Sequence, residues 1–191
     1  RGHYIARLDQ DDVAYPGRLE RQISFLEQHP HVAVVGAAAE LIDDKGRRLC
    51  VSNMPTDSAE IRQALFRYCC IHNSSSMYRK AVAQAVRGYD PATESADDYD
   101  LWLRILKRHE LANLPEVLIG YRVHPAQVSW RNLRAQWEKA TRIRQRAIAR
   151  LREGSAAGEV PFVALTLRER FSGVPGTLGG EYRKWLDLYL A

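Results

Sequence analysis

Three carboxylates crowd into four positions at Asp9-Gln10-Asp11-Asp12, directly after the run Tyr4-Ile5-Ala6-Arg7-Leu8. Carboxylates two residues apart on an extended backbone leave the strand end side by side and repel unless a cation compensates them. Mg2+ or Mn2+ suits such oxygens, commonly through one or two carboxylates, with water and substrate phosphates completing the shell. Alone, the tetrapeptide reads equally well as a solvated acidic turn capping the next helix, so other reactive residues have to decide. A second acidic pair, Asp97-Asp98, stands at the start of Tyr99-Asp100-Leu101-Trp102-Leu103-Arg104. A helix N-terminus stabilises carboxylate, which would keep Asp98 ionised and ready to accept a proton, although an acid there also serves as an ordinary cap. A third group, Tyr121-Arg122-Val123-His124, ends an apolar run just before Pro125 and delivers a guanidinium and an imidazole that can complete a metal site.

The elements that must position these groups follow from hydrophobic period and breaker residues. Tyr4 to Leu8 reads as a short strand, and Pro16 near a first helical position opens an amphipathic helix to about His29, with Leu19, Gln22, Ile23 and Leu26 on one side. Val32 to Gly36 is a buried-strand pattern, followed by Glu40-Leu41-Ile42, the turn Asp43-Asp44-Lys45-Gly46 and Arg47 to Val51. Thr56 or Asp57 caps a helix to about Tyr68; Arg79 to Val86 forms a short helix ended by Gly88; Asp98 to Arg108 forms another with Leu101, Trp102, Ile105 and Leu106 as its stripe. Val117 to Val123 is a strand. From Val128 the pattern is helical, with Leu133, Trp137, Ala140, Ile143, Ala147 and Leu151 in one stripe, and Pro161 to Phe171 and Gly180 to Leu190 follow as shorter helices about a turn-rich hinge, Gly173 to Gly180. Strands alternating with helices make this an α/β chain.

Composition narrows the function classes. With 46% hydrophobic and 27% charged residues the chain is globular, and no apolar run approaches the about 18 residues a membrane helix needs. No signal-peptide pattern is present, so the expectation is a cytoplasmic protein. Cys50, Cys69 and Cys70 are too few for a disulfide framework and lack zinc spacing; they read as reduced packing residues. The net charge of +5 is concentrated between Arg131 and Arg152, where eight basic residues face one acid, Glu138. Nucleic-acid binding by the whole chain therefore loses its support, while a local basic face toward anionic lipid or an acidic partner remains.

Taken together, Tyr4 to Asp12, Pro16-Gly17-Arg18-Leu19-Glu20-Arg21-Gln22, Val34-Val35-Gly36, the acids before Tyr99-Asp100-Leu101-Trp102, and Tyr121-Arg122-Val123-His124-Pro125 closely resemble family 2 glycosyltransferases of GT-A fold, in the right order. The resemblance covers about residues 1–129. It implies a partial GT-A core, a Rossmann-like mixed sheet with flanking helices over residues 1–129, followed by a helical C-terminal extension over residues 130–191. It further implies a nucleotide-sugar donor, a glycan or lipid-linked acceptor, a Mn2+ or Mg2+ ion, and inverting transfer in cell-surface polysaccharide or glycolipid synthesis. Asp9 and Asp11 match the family's DxD motif, which touches the ribose and holds the metal, and Asp12 extends it. Asp98 matches the general base, and Asp97 stands where the family usually has Glu. Trp102 and Arg104 match residues that support that helix, Trp102 either by packing or by offering a face to a sugar. His124 matches a strand-end position near metal and diphosphate, Arg122 can pair with phosphate, and Ser75 lies in His72-Asn73-Ser74-Ser75-Ser76, the loop before the strand lining the donor site.

The family's first strands, which carry the nucleobase pocket, have no counterpart before Tyr4, so the expectation is an incomplete glycosyltransferase whose N-terminal half belongs to a longer protein and whose activity alone is in doubt. Two other readings compete. Leu8 to Val13 also fits the nucleophile loop of a haloacid-dehalogenase-like phosphatase, although Arg7 and Asp12 suit it poorly. A non-enzymatic binding module could be built on the basic helix 131–152, whose apolar stripe more simply packs on the body; in a lipid-directed transferase its basic face would rest on anionic membrane at the cytoplasmic face.

Overall fold

A computed structural model describes residues 2–52, 54–124 and 133–154. Its six strands are β1 (Tyr4–Ala6), β2 (Val13–Ala14), β3 (Val32–Ile42), β4 (Arg48–Val51), β5 (Met77–Arg79) and β6 (Glu110–Arg122). Its helices are α1 (Arg18–Gln28), α2 (Ser58–Leu65), α3 (Lys80–Ala85), α4 (Asp97–Ile105) and α5 (Leu133–Gly154). The sheet runs β1-β5-β3-β6-β2, with β4 pairing β3 off that path. β3 and β6 are parallel and the other pairs antiparallel, so the sheet is mixed.

β3 organises the molecule because it is buried on both faces. Val32, Val35 and Ala37 meet Leu26 of α1, Met77, Ala112 and Leu118 on one side. Ala33 and Val34 turn to the other side, where Ile61, Leu65, Tyr99, Trp102, Ile105 and Ile143 form the larger cluster. One strand thus feeds clusters on both of its faces, with a register irregularity between Val32 and Val34, which is why the pattern Val32-Ala33-Val34-Val35 is apolar throughout rather than alternating. The strand continues through Ala37-Ala38-Ala39, small residues that sequence period alone leaves as a gap.

β6 begins at Glu110, seven residues before the expected Val117, because Leu111 to Leu114 pair in parallel with Val34 to Ala37. Pro115 falls where the register shifts between Ala37 and Ala38. Asn113 of this early stretch crosses over Gly36, donating to the carbonyls of Pro55 (2.8 Å) and Cys70 (3.0 Å). A Cβ at Gly36 would overlap Asn113 Oδ1, so close backbone approach makes glycine necessary there.

Helix boundaries follow from their caps. Gly17, with φ 79°, sits at the N-cap of α1 and places Pro16 one residue outside the helix rather than at its first turn. α1 buries Arg18, Gln22 and Leu26, while Leu19, expected on the apolar side, is 54% exposed. Asp57 caps α2 by accepting from the N–H groups of Ala59 and Glu60. α5 packs Ala140, Ile143 and Ala147 against the cluster that contains α4, but Trp137, expected in that stripe, is 61% exposed. The helices expected at Pro161 to Phe171 and Gly180 to Leu190, and the hinge between them, lie outside the described residues. Among the described residues no helix is long and apolar enough to cross a membrane.

Candidate active site

The end of β1 and the end of β6 bring the first and third reactive groups together. Asp12 N–H donates to the Asp9 carbonyl (3.2 Å), closing the acidic segment into a turn. Arg122 grips that turn from β6. Its backbone N–H donates to Asp12 Oδ1 (2.7 Å) and its Nε to the Asp11 carbonyl (2.8 Å), while Nη1 reaches the carbonyls of Asp43 (2.8 Å) and Asp44 (3.1 Å). The guanidinium expected at a phosphate is thus engaged with main-chain carbonyls, and it clamps two loops together.

Beside this clamp, His124 Nε2 and Asp11 Oδ2 stand 3.0 Å apart, the carboxylate side chain 39% exposed. Asp9 is steadied from the other side. Its N–H donates to Ser74 Oγ (3.1 Å), Asn73 Nδ2 donates to its carboxylate (3.3 Å), and Arg7 Nη2 lies 3.5 Å away. Ser75, expected to touch the donor, is fully buried; its hydroxyl accepts from Ala37 N–H (3.1 Å) and donates to the His72 carbonyl (3.0 Å), so it supports the loop from below. Burial raises Asp12 above the usual carboxylate range. Ser74 and the Arg122 N–H pull it back, and the charges of Asp11 and Asp9 push it further up. A cation beside the turn would offset the burial and like charge that raise Asp12.

The residues present fit such an ion. Asp12 Oδ2 is buried without a hydrogen bond of normal geometry, and Asp11 and His124 offer an oxygen and a nitrogen side by side. Carboxylate with imidazole suits Mn2+ and tolerates Mg2+. Among the described residues no three acidic, histidine or cysteine side chains converge on one point, so a bound ion would draw remaining oxygens from substrate and water.

The second acidic group lies within electrostatic reach of the first. Asp98 accepts a hydrogen bond from the Tyr99 N–H (2.7 Å). Its residue keeps partial solvent access, but its carboxyl is surrounded by protein. Burial, opposed by that hydrogen bond and reinforced by the charges of Asp97 and Asp9, pushes Asp98 up to about 6. The sequence led to the opposite expectation, a carboxylate held firmly ionised by the helix N-terminus; desolvation outweighs the dipole here. A carboxyl near 6 is well placed to take a proton at neutral pH. Asp97, beside it in the first turn of α4, is half-buried.

Trp102 is fully buried, edge-on to Tyr78 with ring centroids 5.5 Å apart, which leaves no face for a sugar. Arg104 pairs with Asp100 (2.7 Å) and donates to the carbonyls of Val86 and Gly88, locking α4 to the end of α3. Sequence reasoning passed over Arg7 and Tyr89, whose guanidinium carbon and ring centroid are 5.6 Å apart, and Asn73, which holds Asp9. Their one sequence signal was proximity to motif residues. The turn before α4 is also held: Ser95 has φ 75°, its carbonyl accepts from Gln136 Nε2 (2.7 Å), and the Glu94 carbonyl accepts from Lys139 Nζ (2.7 Å).

Residues 1–87 match the model for glycosyl transferase family 2. The match includes Leu8 to Val13, the segment that alone also fits a phosphatase loop. The O-antigen biosynthesis glycosyltransferase WbnJ of Escherichia coli is 37% identical over 123 residues, covering 63% of this chain and 47% of WbnJ. The amylovoran biosynthesis glycosyltransferase AmsE of Erwinia amylovora is 34% identical over 133 residues, covering 66% of this chain and 47% of AmsE. The chain spans about half the length of these curated relatives. Among solved structures, the mannosyltransferase PcManGT of Pyrobaculum calidifontis, in complex with GDP-Man and Mn2+, superposes with a TM-score of 0.52 at 17% identity, over 100% of this chain and 60% of that one. That likeness establishes the α/β fold of GT-A type. Over residues 1–87 the chain thus carries the glycosyl transferase family 2 pattern, and the curated relatives that share it are glycosyltransferases.

Proposed function

We propose that this chain transfers a sugar, with inversion, from a nucleotide-sugar to an acceptor hydroxyl in cell-surface polysaccharide or glycolipid synthesis. The observation that carries the reading is the 3.0 Å approach of His124 to Asp11 in the acidic turn, with Asp98, pushed up to about 6, within electrostatic reach of Asp9 in that turn. Asp11 and His124 hold the divalent ion, Asp12 completes or buttresses its shell, and Asp9 orients the donor's ribose. The ion, when bound, supplies Lewis-acid stabilisation to the departing diphosphate. Arg122 acts here by fixing the acidic turn. Asp98 takes the proton of the acceptor hydroxyl as that oxygen bonds to the anomeric carbon and the bond from carbon to diphosphate oxygen breaks. Asp97 orients the acceptor. The names of AmsE and WbnJ, with their polysaccharide pathways, support the substrate class, and the Mn2+ and GDP-Man in PcManGT support the donor and ion.

Titration calorimetry with UDP-, GDP- and dTDP-sugars, with and without Mn2+, tests the proposal. One donor should bind only with metal, and Asp11→Asn should weaken that binding at least about tenfold, as loss of a carboxylate ligand does. Binding that is indifferent to Mn2+, or unchanged in Asp11→Asn, would overturn the metal assignment. The exposed Arg134, Arg142, Arg146 and Arg150 of α5 support peripheral contact with anionic membrane on the cytoplasmic side. Co-sedimentation with phosphatidylglycerol vesicles that ignores salt and lipid charge would end that part of the reading.

A further inference from the structure

Beneath the acidic turn lies a buried charged residue that the chemistry above does not use. Arg18, on the first turn of α1, is 3% exposed, and Gln22, one turn later, is fully buried. A guanidinium removed from water costs several kcal/mol unless its hydrogen bonds are met, so burial for packing alone would favour an apolar residue. Here Nη2 finds main-chain oxygens of two segments and Nε a side-chain oxygen of the same helix. Arg18 Nη2 donates to the Arg7 carbonyl (2.6 Å) and the Ser76 carbonyl (3.3 Å), and Arg18 Nε donates to Gln22 Oε1 (3.0 Å). Gln22 Nε2 donates in turn to the carbonyls of Ser75 (2.6 Å) and Val35 (3.2 Å). The pair therefore ties the end of β1, the His72–Ser76 loop and the middle of β3 into one rack. Directly above it are the Arg7 N–H to Ser76 carbonyl bond (2.9 Å), the Asp9 N–H to Ser74 bond and the Asn73 contact with the Asp9 carboxylate.

We propose that Arg18, acting through Gln22, is a positioning residue: its planar fork fixes the spacing between the Arg7–Asp12 turn and the His72–Ser76 loop, and so aims the Asp9 carboxylate. The functional consequence rests on the reading of that turn as the donor site. Lysine keeps the charge but, as a single ammonium on a flexible stem, lacks the rigid planar fork that meets Gln22 and the carbonyls together.

The test is amide hydrogen exchange by NMR on the metal-free protein, wild type against Arg18→Lys, with a Mn2+ and nucleotide-sugar titration on each. The Asp9 and Ser76 amides should exchange at least about tenfold faster in the variant while Val34 and Leu111 stay protected, and Mn2+-dependent affinity should fall about tenfold, the scale for residues that orient a ligand. Should Arg18→Lys fail to fold, Gln22→Leu removes the second tier of the rack and is expected to show the same local pattern. Unchanged exchange at Asp9, or equal acceleration at every amide, would overturn the inference. If the local loss appears but wild-type protein binds no metal or donor, the positioning role stands and the donor-site reading falls.

Discussion

Replacing Asp98 by Asn should make the protein more stable and less active, and the two effects share one cause. The carboxyl is pushed from an ordinary 3.8 to about 6 by burial and by the charges of Asp97 and Asp9. An acid whose native value is raised binds more protons folded than unfolded between those two values, so stability falls as pH rises from about 4 to about 6 and the full cost is present above that. At 1.36 kcal/mol per unit, a shift of this size sets a ceiling of about 3 kcal/mol. Residual solvent access and the unmet amide N–H of Asn bring the expected gain down to about 1–2 kcal/mol at pH 8. The Tyr99 N–H keeps an acceptor, because Asn Oδ1 replaces Asp98 Oδ1. Urea unfolding of metal-free wild type and Asp98→Asn at several values between pH 4 and pH 8 measures the gap. It should be widest at pH 8 and narrow to a small remainder by about pH 4, where the folded carboxyl is neutral and the unfolded one is close to half-ionised. Transfer, where the full donor site is present, should drop by about 100-fold or more, the usual contribution of a general base. A variant less stable than wild type at pH 8, or a gap that does not change with pH, would refute the electrostatic account of this site.

Gly36→Ala should destabilise the fold by about 2–4 kcal/mol, because the new methyl overlaps Asn113 Oδ1 while both Nδ2 bonds hold that side chain in place; denaturant unfolding reads it, and a loss under about 0.5 kcal/mol would show that Asn113 moves freely. Gln136→Ala should release the Ser95 carbonyl and loosen the left-handed turn before Asp97, costing about 1 kcal/mol and lowering the rate of transfer more than donor affinity. An equal effect on donor affinity would place Gln136 outside acceptor positioning.

The elements that sequence made visible are those whose side chains announce their environment. The continuous apolar run at Val32 to Val35, the Asp57 cap and the stripe of α4 each state a burial pattern directly, and the structure places all three as expected. The first half of β6 was silent because Glu110-Leu111-Ala112-Asn113-Leu114-Pro115 mixes a charge, an amide and a proline, and only pairing with β3 makes it a strand. β2 was silent for a related reason: Val13 and Ala14 are too short a run to carry a period, and their partners, Gly120 and Ile119, lie over a hundred residues away. Trp102 was ambiguous as packing or sugar platform because an aromatic at helical spacing looks the same in either role; Tyr78, across the core, decides it.

The same division runs through the site. Asp9, Asp11, Asp98 and His124 stood out because their chemistry is in their side chains. Arg18, Gln22, Arg122 and Ser75 mattered in another way, since each spends its hydrogen bonds on main-chain groups of distant segments. Backbone groups carry no sequence signature, so a residue whose partners are carbonyls reads as an ordinary polar position in a helix or loop. Arg122 and Ser75, expected at the donor, are engaged in the structure with main-chain groups of neighbouring segments. In this chain the carboxylates of the acidic turn stand close to one another, and the segments that carry them are tied by Arg18, Gln22 and Arg122 through carbonyls of distant strands and loops.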